Sequence, residues 1–197
     1  MIADEVQTAV GRTGAHFFGF TEHDIVPDMV VMAKGIGNGF PLSAVIARRD
    51  IAEAMTSRTF MSTMGSNPTC CAAGRGVIAA LDHGGLQENA KIVGAQALVM
   101  FKELQSRYEV IGDVRGRGLM IGMELVKDRD TKEPATELVA ALADEISDSV
   151  IITKAGAHAN VVRLVPPLCL TAQDAADVVD RLDSALRRLL KHEYPKD

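Results

Sequence analysis

Lys34 closes the apolar run Met29-Val30-Val31-Met32-Ala33 and opens into Gly35-Ile36-Gly37-Asn38-Gly39-Phe40-Pro41. A strand that ends on one lysine and breaks into glycines delivers a primary amine to a crowded cleft. Shielded from water, such an amine can lose its proton and condense with a carbonyl cofactor. The competing reading of a lone lysine is a solvated strand cap, so its companions decide.

The first companion is Asp4, an acid set directly behind the apolar stub Ile2-Ala3 and followed by Glu5-Val6-Gln7. Pyridoxal phosphate requires a carboxylate opposite its ring nitrogen, because the protonated pyridinium is the electron sink for a carbanion. Asp4 can supply that charge, although an aspartate here can equally cap a turn.

Three segments then carry a family resemblance: Ile2 to Thr8, Gly11 to Gly14, and Pro27 to Pro41. They resemble the class III pyridoxal-phosphate aminotransferases and, within them, the alanine–glyoxylate aminotransferase 2 branch. The likeness continues through Ser62 to Pro68, Gly112 to Glu124 and Asn160 to Pro167, in order over almost the whole chain.

The resemblance implies a fold type I α/β transferase. Residues 1–98 would be the C-terminal part of the large cofactor-binding domain, and 99–197 the small α+β domain. It implies Lys34 as the lysine that carries the cofactor and shuttles the proton, Asp4 as partner of the pyridine nitrogen, and Gln7 against the ring's phenolic oxygen. Thr63 would donate to the cofactor phosphate, in this family usually across a homodimer interface. Arg163 would grip the substrate α-carboxylate, a task that suits a planar guanidinium with two parallel donors. The reaction implied moves an amino group from a small, alanine-like amino acid to an oxo acid such as glyoxylate or pyruvate. An aminomutase, racemase or decarboxylase of the same fold is the neighbouring alternative.

Three features depart from the family pattern. Ala9 and Val10 stand where a glycine and an aromatic are usual, and Met64 and Ser66 where an aromatic and a glycine are usual. Ser66 adopts a positive φ less freely than glycine would. The family's phosphate-cradling loop precedes the strand that leads to Asp4, so this chain is expected to be a C-terminal portion. On that reading it is either inactive alone or dependent on a partner that supplies the rest.

Composition fits an enzyme piece. The 197 residues are 47% hydrophobic with a net charge of −5; no basic footprint suggests nucleic acid. No run of about 18 apolar residues suggests a membrane span. With no signal segment at the start, a cytoplasmic location is expected. Cys70, Cys71 and Cys169 and the scattered histidines lack metal-site spacing, and the cysteines read as buried small hydrophobes. His158 reads as a polar loop residue.

Residues 28–33 and 43–47 read as short apolar strands buried on both faces of a sheet. Helical spacing runs from Thr69 to Leu81 and, after His83-Gly84-Gly85, over about 87–108, a bridge between domains. Arg115 and Arg117 lead into a strand over 119–126 and are expected to organise the small domain rather than touch substrate. Helical spacing returns at 136–148, a β-branched run follows at 149–153, and 161–164 reads as a strand. An amphipathic helix over about 173–190 closes the chain, signalled by Thr171 with Asp174 three residues on.

Overall fold

A computed structural model describes residues 1–59 and 61–193. The chain divides into two compact units, Met1–Glu88 and Asn89 onward; position 98, the expected boundary, falls within a continuous helix, Leu86–Arg107.

The first unit is built on a three-stranded sheet of β1 (Ile2–Asp4), β2 (Met29–Met32) and β3 (Ala44–Ala47), in that order. β1 and β2 run parallel, β2 and β3 antiparallel. A parallel pair demands a long crossover, here residues 5–28. Val30 and Met32 are buried, packing with Ala9, Val10 and Ile36. Val45, on the other face, is 59% exposed, and Ile46, beside Val30 on the outer strand β3, is 51% exposed, which corrects the expectation of strands covered on both sides. Beyond β3 come the short helix α1 (Arg49–Glu53) and the longer α2 (Pro68–Gly84). Asn67 caps α2 by accepting from the N–H groups of Thr69 (3.0 Å) and Cys70 (3.3 Å). Pro68 takes the first helical position, and Gly85 ends the helix at φ +62°; both are the residues those positions favour.

The second unit begins with most of α3 (Leu86–Arg107), whose face of Ala90, Val93, Ala97, Phe101 and Leu104 repeats every three or four residues and is buried. It packs with β4 (Ile111–Arg117), β5 (Met120–Leu125), α4 (Thr136–Glu145), β7 (Val161–Leu164) and α5 (Ala172–Glu193), and β6 (Thr153–Ala155) pairs with β7 at the edge of the sheet. The sheet order is β4-β5-β7-β6, all antiparallel. β4 was not anticipated, because its glycines and charges hide the alternation. It pairs with β5 through the two-residue turn Gly118-Leu119, with Gly118 at φ +53°. Gly94 must be glycine, since a Cβ there would meet the Gly118 carbonyl oxygen at 2.2 Å. Two expectations need correction. α4 stops at Glu145 rather than 148, and the run 149–152 precedes β6 instead of forming it, with Ile151 exposed.

The α5 signal at Thr171 is confirmed in detail. The Thr171 hydroxyl donates to Asp174 Oδ2 (2.6 Å), and Asp174 N–H donates to Thr171 Oγ1 (3.1 Å). That hydroxyl, with the Thr171 N–H, holds the Asp174 carboxyl below the usual carboxylate range. Lower on α5, Tyr108 donates its phenol to Asp183 Oδ1 (2.5 Å), and Arg107 and Arg187 pair with the same carboxylate. Burial pushes the Asp183 carboxyl up, but the Tyr108 and Arg107 hydrogen bonds outweigh it and leave it low; burial and Asp183 together push the Tyr108 phenol up.

Cys70 is buried as expected, but Cys71 and Cys169 are exposed, because Cys71 lies on an outer face of α2 and Cys169 in a loop. Among the described residues no cluster of His, Cys, Asp and Glu could hold a metal ion. No described helix is long and apolar enough to cross a membrane.

Candidate active site

Parallel strands deliver their carboxyl ends to one side, where open α/β sheets bind ligands. β1 and β2 do this with chemistry at both tips: Asp4 is the last residue of β1, opposite Val31, and Lys34 follows the last residue of β2 by two. Asp4 is exposed and its Oδ1 accepts the Val6 N–H at 3.1 Å. This side-chain turn bends the chain out of the strand and into the segment that carries Gln7, also exposed.

Lys34 opens a 3-10 turn, Lys34–Ile36, anchored by buried Ile36 and closed by Gly37 N–H to the Lys34 carbonyl at 3.1 Å. Its φ is +49°, which costs a non-glycine residue about 1–2 kcal/mol. Strain of this kind concentrates at functional positions. Lys34 lines an open cleft of about 750 Å³ with Asn38, Phe40, Pro41, Leu42 and Ser43. The expected shielding from water is not there, for Lys34 is exposed: Gly35, Gly37 and Gly39 put no side chains over the amine. Two of them are required, since a Cβ at Gly37 would meet the Phe40 carbonyl oxygen at 2.2 Å and Gly39 adopts φ +99°.

Thr63 lies exposed in the turn over 63–66 that precedes α2. Ser66, where glycine is usual, adopts φ +56°. Val10, standing in the other departure, is also left-handed at φ +65° and buried. Arg163 belongs to the second unit. It sits half-buried on β7 between Gly122 of β5 and Thr153 of β6, and its Nε donates to Thr153 Oγ1 at 3.2 Å. The structure therefore brings Asp4 and Lys34 to the ends of adjacent strands, sets Gln7 in the turn segment after β1, keeps Thr63 in its own turn of that unit, and carries Arg163 on the second.

Arg115 donates to both Asp113 (2.6 Å) and Glu124 (2.7 Å), an internal ladder across β4 and β5 rather than an open anion site. The His158 carbonyl accepts from the Thr136 hydroxyl at 2.6 Å. One residue escaped the reading of the sequence. Glu5 is 4% exposed and accepts three hydrogen bonds. The signal was strand alternation, which turns Glu5 inward wherever Asp4 faces outward.

The Aminotransferase class-III family profile matches residues 1–186, and the chain belongs to that family. It is 46% identical over 189 residues to alanine–glyoxylate aminotransferase 2 homolog 2, mitochondrial, of Arabidopsis thaliana, covering 95% of this chain and 39% of that protein. It is 39% identical to ethanolamine-phosphate phospho-lyase homolog 1 of Caenorhabditis elegans, covering 94% and 41%. A solved amine transaminase from an uncultivated Pseudomonas species, in its PLP-bound form, shares 37% identity and a TM-score of 0.82 over 95% of this chain and 44% of that one. The fold is thus that of the PLP-dependent transaminases, and the chain spans about two fifths of the length of the curated relatives it matches. The expected cytoplasmic location is overturned, since the Arabidopsis relative is named as mitochondrial.

Proposed function

We propose that this chain supplies the lysine-bearing part of a pyridoxal-phosphate transaminase site. The observation that carries the reading is the placement of Asp4 and Lys34 at the carboxyl ends of adjacent parallel strands, beside a glycine-rich cleft. The donor set suits the cofactor: an amine for its aldehyde, a carboxylate for its ring nitrogen, and a threonine hydroxyl at Thr63 for its phosphate. When bound, pyridoxal phosphate supplies an aldehyde and an electron sink for the charge left as a Cα proton departs.

The chain's own residues do the rest. Asp4 holds negative charge opposite the ring nitrogen and keeps it protonated. Lys34 Nζ would hold the cofactor between turnovers and, once displaced by the substrate amine, would take the proton from the substrate Cα. Gln7 would lie against the ring oxygen, and Arg163 would grip the substrate α-carboxylate. The amino group leaves an alanine-like donor as that donor becomes an oxo acid, and is then passed to glyoxylate or pyruvate. The working form is a homodimer in which Thr63 serves the neighbouring site.

The likeness to a phospho-lyase at 39% identity supports one competing reading, elimination on the same fold. In an enzyme that completes the site around this chain, alanine and glyoxylate are expected to give pyruvate and glycine, and Arg163→Ala to raise the amino-acid KM with little change in kcat. Phosphate release from ethanolamine phosphate without amino transfer would favour the lyase. An unchanged KM would remove Arg163 from carboxylate binding.

A further inference from the structure

We infer that Glu5 is a positioning residue for the Asp4–Gln7 turn, acting as a clamp between that turn and the loop that crosses beneath it. The inference rests on the proposal that Asp4 and Gln7 hold the cofactor.

Glu5 extends the sheet by one residue, its N–H donating to the Val31 carbonyl at 2.9 Å. Strand alternation turns its side chain away from Asp4 and into the unit. There Oε2 accepts the Thr8 hydroxyl at 2.7 Å and the Gly19 N–H at 2.9 Å, while Oε1 accepts the Phe20 N–H at 2.7 Å. The two N–H groups open the 3-10 turn Gly19–His23, whose own N-cap, Phe18, has no side chain able to accept. A carboxylate fourteen residues upstream therefore caps it, in the place where N-terminal N–H groups and negative charge suit each other.

The clamp joins two parts of the site's floor. On one side, the Ala9 N–H donates to the Glu5 carbonyl at 3.2 Å, so one residue's backbone and side chain together fix residues 5–9, Gln7 among them. On the other, Phe17, Phe18 and Phe20 form an aromatic cluster with centroids 4.8 and 5.3 Å apart, packed against the core that holds Val30, Met32 and Ile36. Those core residues flank Lys34. A second, independent observation marks the same contact: a Cβ added at Gly19 would stand 2.8 Å from Thr8 Cβ, so the loop lies on the turn with no space for a side chain. All three partners donate, so glutamine cannot replace the carboxylate without turning a donor toward a donor.

The test compares the full-length chain with Glu5→Gln and Gly19→Ala, by amide hydrogen exchange and by titration with pyridoxal phosphate. Expected is a rise in exchange of about tenfold or more in residues 4–9 and 17–23 together, with second-unit peptides unchanged. Cofactor affinity should fall about tenfold, the scale of one hydrogen bond to a charged group, and the visible spectrum of the bound cofactor should change its pH profile. Leu81→Ala, which loosens the same core without touching Glu5, should leave that pH profile unchanged. Loosening of 17–23 with residues 4–9 still protected would overturn the inference, as would a Leu81→Ala spectrum that shifts equally. Should Glu5→Gln not fold, Gly19→Ala decides by the same criteria, because it pushes the loop off Thr8 while leaving the carboxylate intact. If the unmutated chain takes no cofactor on Lys34, the proposed function fails, and the exchange comparison still decides the clamp.

Discussion

The two units of this chain solve opposite problems. Among the described residues, the second closes a core of 22 buried residues, with Leu104, Leu142, Leu182 and Leu186 inaccessible to water. The first, among its described residues, buries a cluster of 5 and leaves Ile2, Phe40, Val45, Ile46, Met61 and Met64 at the surface. Backbone strain divides the same way: Val10, Asp24, Lys34, Asn38 and Ser66 adopt positive φ in the first unit, against Lys132 and Ala159 in the second. Four of the five candidate site residues lie in the strained, open unit. Chemistry is held there by local devices such as caps, glycine turns and a buried carboxylate, whereas the second unit adds its polar locks to a large packed core. Low packing and stored strain belong to binding regions, which are drawn from the less stable parts of a fold.

The contrast is sharpest in core truncations. Leu142→Ala in the second unit is expected to cost about 2–5 kcal/mol, whereas Val45→Thr on the open sheet face should stay within about 0.5 kcal/mol. Denaturant unfolding of both variants measures the pair, and similar costs would erase the distinction. A smaller effect tests the polar lock between α3 and α5. Asp183→Asn should cost about 2 kcal/mol at neutral pH, the scale of hydrogen bonds to a charged group.

That lock also sets a pH window. The folded carboxyl of Asp183 lies below its unfolded value, so its contribution is complete above about pH 4 and is lost as pH falls through the folded value. Asp174 acts in the same direction. The Tyr108 phenol is raised, so its share is present below about pH 10 and lost as pH climbs through its folded value. Stability curves of the Asp183→Asn variant should therefore flatten on the acid side, and an unchanged acid limb would remove the lock from the account. The smallest effect runs the other way. Ser66→Gly should stabilise the first unit by about 0.5–1 kcal/mol by relieving a left-handed serine, and a loss of stability would show that the serine is not strained.

Much of this was legible in the residues. Asn67-Pro68 and Gly85 punctuate α2, Thr171 with Asp174 opens α5, and the apolar runs at β2 and β7 emerge as strands. The strand-end placement of Asp4 and Lys34 followed from apolar runs that stop at a charge. The failures have physical causes. β4 carries Gly112, Asp113, Arg115 and Gly116, so its inward row is too broken for alternation to show. Val45 and Ile46 look like core residues because hydropathy reports what a side chain prefers, not whether a layer covers it. Glu5 was passed over because a carboxylate beside a more obvious one reads as surface charge, and only the strand's period of two turns it inward. The exposure of Lys34 could not be read from its neighbours, since the glycines that shape its loop are also what leaves it open.

The measurement that tests the central claim most directly is to incubate the purified chain and its Lys34→Ala variant with pyridoxal phosphate, reduce with borohydride and map the modified peptides. The account predicts a single reduced adduct on Lys34 that saturates with cofactor and disappears in the variant. Labelling spread over several lysines, or equal labelling of the variant, would contradict it.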